Sequence, residues 1–277
     1  MTTEVRSEIH GMWSAVASGW AEHASYVDAR AAALTAAMLS AAAVAPGRRV
    51  LELACGAGGT GLAAAALGAE VVLSDVAPPM VSAAAARARE HAKVTSKVLD
   101  AEEIAEPDAT FDAVLCRDGL QFTVDPSRAA AEIFRVLRPG GRVALATWGP
   151  RSANPWLGLV LDAVSAVAGR PLPPPGRPGP FALDDAGRLA QLLAAAGLSD
   201  VEVREEPIPM RVASFDEWWS RTPALAGPLV RVMAGLSPVD RAEIVGRLRV
   251  AVAPYAEASG ALNLPGVGLL ASARRPG

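Results

Sequence analysis

Cysteine is nearly absent: the 277-residue chain has two, Cys55 and Cys116, too few for a disulfide framework or a cysteine-built zinc site. Lysine is as scarce, since all but Lys93 and Lys97 of the 26 basic residues are arginine. No charge of one sign dominates: 26 Lys+Arg stand against 29 Asp+Glu, a formal net charge of −3. That balance argues against nonspecific nucleic-acid binding, which needs basic residues to neutralise phosphates. Long hydrophobic runs are missing too. The most apolar early stretch, Ala31 to Ala45, is mostly alanine, contains Thr35 and Ser40, and stops at Pro46; a membrane span takes about 20 apolar residues. The opening MTTEVRSEIHGMW holds no apolar run that would form a signal-peptide core. The expectation is a cytoplasmic protein without membrane association.

What is present is a large apolar fraction, 51%, enough for a sizeable core. Residues 4–44 read as helical, with Met12, Val16, Trp20, Val27, Leu34 and Met38 spaced for burial. After Pro46-Gly47 the pattern becomes alternating strands and helices: strands at Val50–Leu53, Val71–Ser74, Val98–Leu99, Asp112–Cys116 and Arg142–Thr147, with helices at Leu62–Leu67, from Pro78 to about His91, and from about Pro126 to Arg138. This alternation predicts an α/β fold, a mostly parallel sheet with helices on both faces. Beyond Trp148 come a helix at Pro155–Ala168, a proline-rich loop at Arg170–Pro180, a helix after Asp184, a strand at Val201–Arg204, and capping signals at Ser214–Glu217 and Ser237–Asp240. Residues 267–273 close the pattern as a last strand. The expected organisation is an N-terminal helical cap over 1–45, a core over 46–213, a helical lid insertion over 214–260, and the last core strand over 261–277.

Gly56-Ala57-Gly58-Gly59-Thr60-Gly61 matches G-x-G-x-x-G between a strand and a helix, with Asp75 at the end of the second strand. Such a loop brings backbone close to a nucleotide, and the acid holds a ribose diol. An NAD(P)-dependent oxidoreductase would use the same loop. Three features point elsewhere: Glu52 within the first strand, the long helical segment ahead of the loop, and a second acidic element, Asp100-Ala101-Glu102-Glu103, placed to read an adenine edge.

The run VLELACGAGGTGL, then SDVAPPMV, LDAEEI, FDAVLCRDGLQF and EIFRVLRPGGRVALATW resembles the class I S-adenosylmethionine-dependent methyltransferases, in the small-molecule branch typified by ubiquinone- and menaquinone-biosynthesis enzymes. The resemblance covers residues 48–148. It implies a Rossmann-like seven-stranded, mostly parallel sheet, S-adenosyl-L-methionine as cofactor, and a small-molecule methyl acceptor, oxygen ahead of carbon and nitrogen. It also assigns roles. Gly56 and Gly58 let the backbone approach the cofactor, and Glu52 orders the loop and the amino-acid end. Asp75 takes the ribose hydroxyls, and Val76 and Met80 pack near the adenine. Asp100, Ala101 and Glu102 form the adenine-edge element, Arg117 faces the methionine end, and Gln121 falls near the transferable methyl. Ala54 departs from the glycine usual there, and a small shift of the loop is expected. No hallmark substrate motif is found, so the acceptor, and whether the protein is a catalytically silent cofactor binder, stay open. A homodimer is also left open.

Methyl transfer from a sulfonium is an in-line displacement that needs alignment and exclusion of water, and a general base helps where the acceptor bears a proton. Of the three histidines, His91 reads as surface, while His10 and His23 lie in the N-terminal arm and are the base candidates. Trp20 and Tyr26 share that arm as candidates to line the cofactor's sulfonium, and Trp13 reads as an anchor. Trp148, at the carboxyl edge of the sheet, and one of Trp218 and Trp219 are candidates for the substrate side. Arg117 and Asp118 read as a solvated loop pair.

Overall fold

The computed structural model describes residues 2–277. Three helices open the chain: α1 (Thr2–Glu22), α2 (Ala24–Arg30) and α3 (Ala32–Ala41). The expected single helical stretch is thus broken at His23 and Ala31, which lets it turn over the edge of the sheet. The core alternates β1 (Arg49–Leu53), α4 (Gly59–Ala66), β2 (Glu70–Asp75), α5 (Pro78–Arg87), β3 (Val94–Val98), β4 (Phe111–Arg117), α6 (Pro126–Val136) and β5 (Leu137–Trp148). There follow α7 (Pro155–Ala168), α8 (Ala186–Ala195), β6 (Ser199–Pro207), β7 (Met210–Val212), α9 (Phe215–Leu225), α10 (Gly227–Gly235), α11 (Pro238–Ala251), β8 (Leu262–Leu264) and β9 (Val267–Arg274).

Seven strands form one sheet in the order β3-β2-β1-β4-β5-β9-β6. Six run in one direction, and β9 runs antiparallel between β5 and β6. The sheet is the Rossmann-like one expected. Helices cover both faces, so central strands are apolar without alternation: Val50, Leu51 and Leu53 are all buried. The edge strand β3 begins four residues earlier than expected, because Thr95, Ser96 and Lys97 hide its strand character behind polar side chains. The helix α6 stops at Val136 rather than Arg138. Arg275 Nη1 donates to the Phe134, Arg135 and Leu137 carbonyls at 3.2, 3.0 and 2.7 Å, so the helix end is satisfied by the far end of the chain.

The segment between β7 and β8 is helical, and these two strands pair with each other in a separate two-stranded ladder. The three helices α9–α11 pack on α7 around their own apolar cluster, with Trp218, Leu229, Ile244 and Leu248 fully buried. Ser237 and Asp240 form the expected capping box. At α9 only half of it forms: Ser214 Oγ accepts from the Glu217 amide at 3.1 Å, but the Glu217 carboxylate bonds back to Ala213. Among the described residues no helix is long and apolar enough to cross a membrane.

Candidate active site

The carboxyl ends of β1, β2 and β4 open onto a cleft roofed by α1. The β1–α4 turn is its floor. Gly56 and Gly58 both adopt left-handed backbone, φ +53° and +84°, conformations glycine takes without penalty. A Cβ on Gly56 would stand 3.2 Å from the Trp20 ring, and one on Gly61 would meet Glu52 Oε2 at 2.6 Å. The loop is therefore pinched between an aromatic above and a buried acid below. Glu52 Oε2 accepts from the Gly61 amide at 2.8 Å, which fixes the start of α4, and burial pushes its carboxyl up to about 7. The positive charge of Arg117 partly balances it, and Arg117 Nε donates to Thr60 Oγ1 at 3.0 Å.

Asp75, buried, ends β2. Its Oδ2 accepts from the Gly56 amide at 3.0 Å and its Oδ1 from the Ala77 amide at 2.9 Å. One carboxylate therefore ties the glycine loop to the start of α5. Burial raises its pKa against these bonds, and each oxygen keeps acceptor capacity for a further donor. Asp100 and Glu102 close the cleft's other side. Asp100 Oδ1 accepts from the Glu102 amide at 2.8 Å, and Glu102, 2% exposed, accepts from the Val124 amide at 2.6 Å. Arg6 on α1 reaches across to both acids, to Asp100 at 3.4 Å and to Glu102 by a direct hydrogen bond. The arm is clamped over the cleft by charge.

Ala54, the departure from glycine, has φ +52° and faces the cleft with its side chain exposed. Room for its methyl comes from Gly119, where an added Cβ would lie 2.3 Å from that of Ala54.

Glu52, Ala54, Gly56, Asp75, Val76, Met80, Asp100, Ala101, Glu102, Arg117 and Trp20 all line this one cleft, with Arg6, His10 and Trp13. Gly58 stands behind it, its Cβ position filled by Leu73 and Ala84. Tyr26 is placed elsewhere. It lines a second chamber that shares Trp13, Trp20, Arg117, Asp118 and Phe122 with the first and extends under α9 to Trp148 and Trp156. The three catalytic candidates are not brought together. His10 Nε2 lies 3.8 Å from Asp100 at the adenine side. His23 caps α2 outside both cavities. Gln121 is buried, its side-chain amide without partners, beneath the shared wall and lining neither cavity. Trp218 and Trp219 belong to the lid's own cluster. Trp218 Nε1 donates to the Trp156 carbonyl at 3.1 Å, so it supports the chamber from behind. The pair read as solvated, Arg117 and Asp118, is instead enclosed, 10% and 14% exposed and 4.0 Å apart. The sequence signal for this was available: Arg117 ends β4 and Asp118 follows it, at the carboxyl edge where such sheets bind ligands.

Comparison with known proteins agrees with this geometry. Residues 51–145 match the family described as a methyltransferase domain. An uncharacterized protein of Mycobacterium tuberculosis is 37% identical over 113 residues, 40% of this chain and 41% of that protein. A demethylmenaquinone methyltransferase of Clavibacter sepedonicus is 39% identical over 105 residues, 37% of this chain and 43% of that enzyme. The chain thus spans about two fifths of the length of these relatives. The crystal structure of a putative methyltransferase from Bacillus halodurans superposes with a TM-score of 0.58 at 19% identity, covering 88% of this chain and 99% of that one; that likeness is one of fold. Residues 51–145 thus carry the sequence pattern of a methyltransferase domain, on a fold shared with solved methyltransferases.

Proposed function

We propose that the chain transfers a methyl group from S-adenosylmethionine to a small organic acceptor, with oxygen as the receiving atom. One observation carries this reading: the cofactor cleft and an apolar, tryptophan-lined chamber meet at a shared wall of Trp13, Trp20, Arg117, Asp118 and Phe122. A two-substrate displacement needs such a junction, where donor carbon and acceptor atom approach in line. When bound, the cofactor supplies a methyl group on a positively charged sulfur.

The residues of the first cleft suit that molecule. Asp75 offers a carboxylate for a diol, the Gly56 backbone lines the floor, and Asp100 with Ala101 stands where an exocyclic amine would be read. Trp20, held by its Nε1 bond to the Leu225 carbonyl at 3.0 Å, covers the glycine loop and offers a ring face to a cation. The acceptor side is apolar: Trp148, Trp156, Leu157, Ile208, Met210 and Leu225 wall it. Closure by α1 and α9 would keep water from the sulfonium. The division into cap, core and lid has the same rationale, since the arm covers the first cavity and α9 roofs the second.

The test is calorimetry of the purified chain with S-adenosylmethionine, S-adenosylhomocysteine and, as a control, NADH. Micromolar binding of the first two and none of the third is expected. NADH binding without S-adenosylmethionine binding would replace this reading with a dehydrogenase. Product identification by mass spectrometry on hydroxylated aromatic metabolites then tests the oxygen preference.

A further inference from the structure

The chamber beyond the shared wall holds polar groups that the protein itself leaves unpaired. Asp118 Oδ1, Tyr26 Oη and Arg221 Nε are each buried without a hydrogen-bond partner. Such groups are costly when unpaired, and their concentration in one cavity points to a polar ligand. Asp118 is the acid among them. It stands at φ +60°, a left-handed conformation uncommon outside glycine but tolerated by aspartate and asparagine, with its amide donating to the Ala146 carbonyl at 2.8 Å. This backbone twist puts its side chain on the wall common to both cavities. Strain of this kind at a ligand site is a pointer to function.

Resting on the methyltransferase reading above, we infer that Asp118 is the general base of the reaction, and that the acceptor is a ring-bearing molecule whose nucleophile is an ionisable hydroxyl. In the step, the hydroxyl proton passes to an Asp118 carboxylate oxygen while an electron pair of the hydroxyl oxygen forms the bond to the methyl carbon. The carbon–sulfur bond breaks with its pair left on sulfur, giving the neutral thioether S-adenosylhomocysteine, and Asp118 returns its proton to water after product leaves.

The charges around Asp118 fit this role. Arg117, on the same strand end, lies 4.0 Å away. Arg30 on α2 faces it, its guanidinium 5.1 and 4.2 Å from the Trp148 and Trp156 rings and its Nη2 donating to the Ile208 carbonyl at 3.2 Å. Tyr26 on α2 and Arg221 on α9 complete the chamber's ionisable wall, the Arg221 guanidinium 3.7 Å from the Tyr26 ring centroid. Glu52 on β1 lies in the adjoining cleft, and Gln121 underlies the carboxylate. Desolvation, opposed by Arg117 and Arg30, brings Asp118 up to about 6, so it is ionised at neutral pH and basic enough to take a proton. Arg221 is already paired with Glu217 Oε1 at 2.6 Å, which leaves Arg30 and Arg117 against Asp118; this excess of positive charge disfavours an ammonium acceptor and favours an oxygen that gains negative charge. The tryptophan and aliphatic walls favour a ring.

The test uses 4-nitrophenol, whose absorbance reports its own ionisation, titrated against the full chain saturated with S-adenosylhomocysteine at pH values from 5 to 9. In Asp118→Asn the negative charge beside the bound phenol is gone, and the ionisation of bound 4-nitrophenol is expected to shift to lower pH by about one unit or more. Asp118→Gly, which also adopts the left-handed backbone, should reproduce the shift, each variant being saturated with S-adenosylhomocysteine at its own measured affinity. Superimposable phenol titrations, or no saturable phenol binding, would overturn the base role alone. Failure of S-adenosylhomocysteine to bind the wild type would overturn the methyltransferase reading and the base role with it.

Discussion

The two cavities that meet at Asp118 are built on opposite terms. In the cofactor cleft the acids are answered: Asp75 is held by two backbone amides, Glu52 by a third, and Asp100 and Glu102 by amides and Arg6, with only the Arg6 Nε of this set left without a hydrogen bond. In the acceptor chamber Asp118, Tyr26 and Arg221 keep buried atoms unpaired. The cleft is organised before anything binds, which lowers the ordering cost of a ligand. The chamber instead places its unmet hydrogen bonds at the ligand's disposal, so its specificity rests on what the acceptor can pair.

The sharpest way to break this comparison is Asp75→Ala. The variant removes the acceptor for the Gly56 and Ala77 amides along with the group for the ribose. With hydrogen bonds to charged groups worth about 1.5–3 kcal/mol each, S-adenosylhomocysteine affinity should fall by roughly a hundredfold in calorimetry. Unchanged affinity would show that the cleft is not organised around this acid.

That contrast also explains what the sequence reveals. The cleft is legible because its residues come from short, consecutive β–α turns: Glu52 to Gly61 is one turn, Asp75 to Met80 the next, Asp100 to Glu102 the third. The parallel order and the closing strand follow from the same alternation. The chamber is not legible, because it is assembled from α2, the end of β4, the end of β5, α7, β7 and α9, segments joined by no common spacing. Tyr26 and Arg221 are 195 positions apart and meet only through the fold. Asp118 looks like a loop residue beside a charged neighbour, and only the helices packed over it make it a buried acid. His10 and His23 drew attention by residue type, yet their positions depend on where α1 and α2 turn, which periodicity does not fix.

Glu52 supplies the next effect, and its sign is opposite to that of a surface carboxylate. Its folded-state value of about 7 lies above the ordinary value of 4.5, so between those pH values the native state holds more of the proton than the unfolded chain. Stability conferred by this group is therefore greatest at low pH and falls as pH rises from about 4.5 to 7. Asp118, raised to about 6, adds to the same trend. Glu52→Gln keeps an acceptor for the Gly61 amide but cannot ionise. Its unfolding free energy, measured by urea titration, should lose part of this decline, by up to about 3 kcal/mol at pH 8. A wild-type and variant pair with parallel pH profiles would place the Glu52 charge outside the buried cleft.

Arg6 tests whether the closed arm belongs to the cleft's own organisation. Arg6→Ala leaves the buried Glu102 with only the Val124 amide and unclamps α1. S-adenosylhomocysteine should bind about tenfold more weakly, mainly through faster release, because a lid's closing contacts are broken on the way out. Phenol binding in the chamber should change less. An equal loss in both cavities would mean that α1 closes them as one.

The smallest effect concerns the floor of the cofactor cleft. Ala54 holds a left-handed backbone and its methyl occupies the space that Gly119 leaves, so each residue is chosen for the other. Gly119→Ala alone brings two Cβ positions to 2.3 Å, and the new methyl also meets Cys116 Sγ at 2.9 Å, an overpacking worth about 1–3 kcal/mol. Ala54→Gly alone relieves the positive φ, and the gain is partly offset by the unfolded-state entropy of glycine, leaving a change within about 1 kcal/mol. In the double variant the shorter contact vanishes while the sulfur contact stays. Thermal melts should therefore show that Ala54→Gly recovers part, not all, of the loss caused by Gly119→Ala, a coupling on the order of 1 kcal/mol. Strict additivity would mean that the two methyl positions do not compete, and that the glycine after Asp118 serves the turn of the acid rather than the alanine beneath it.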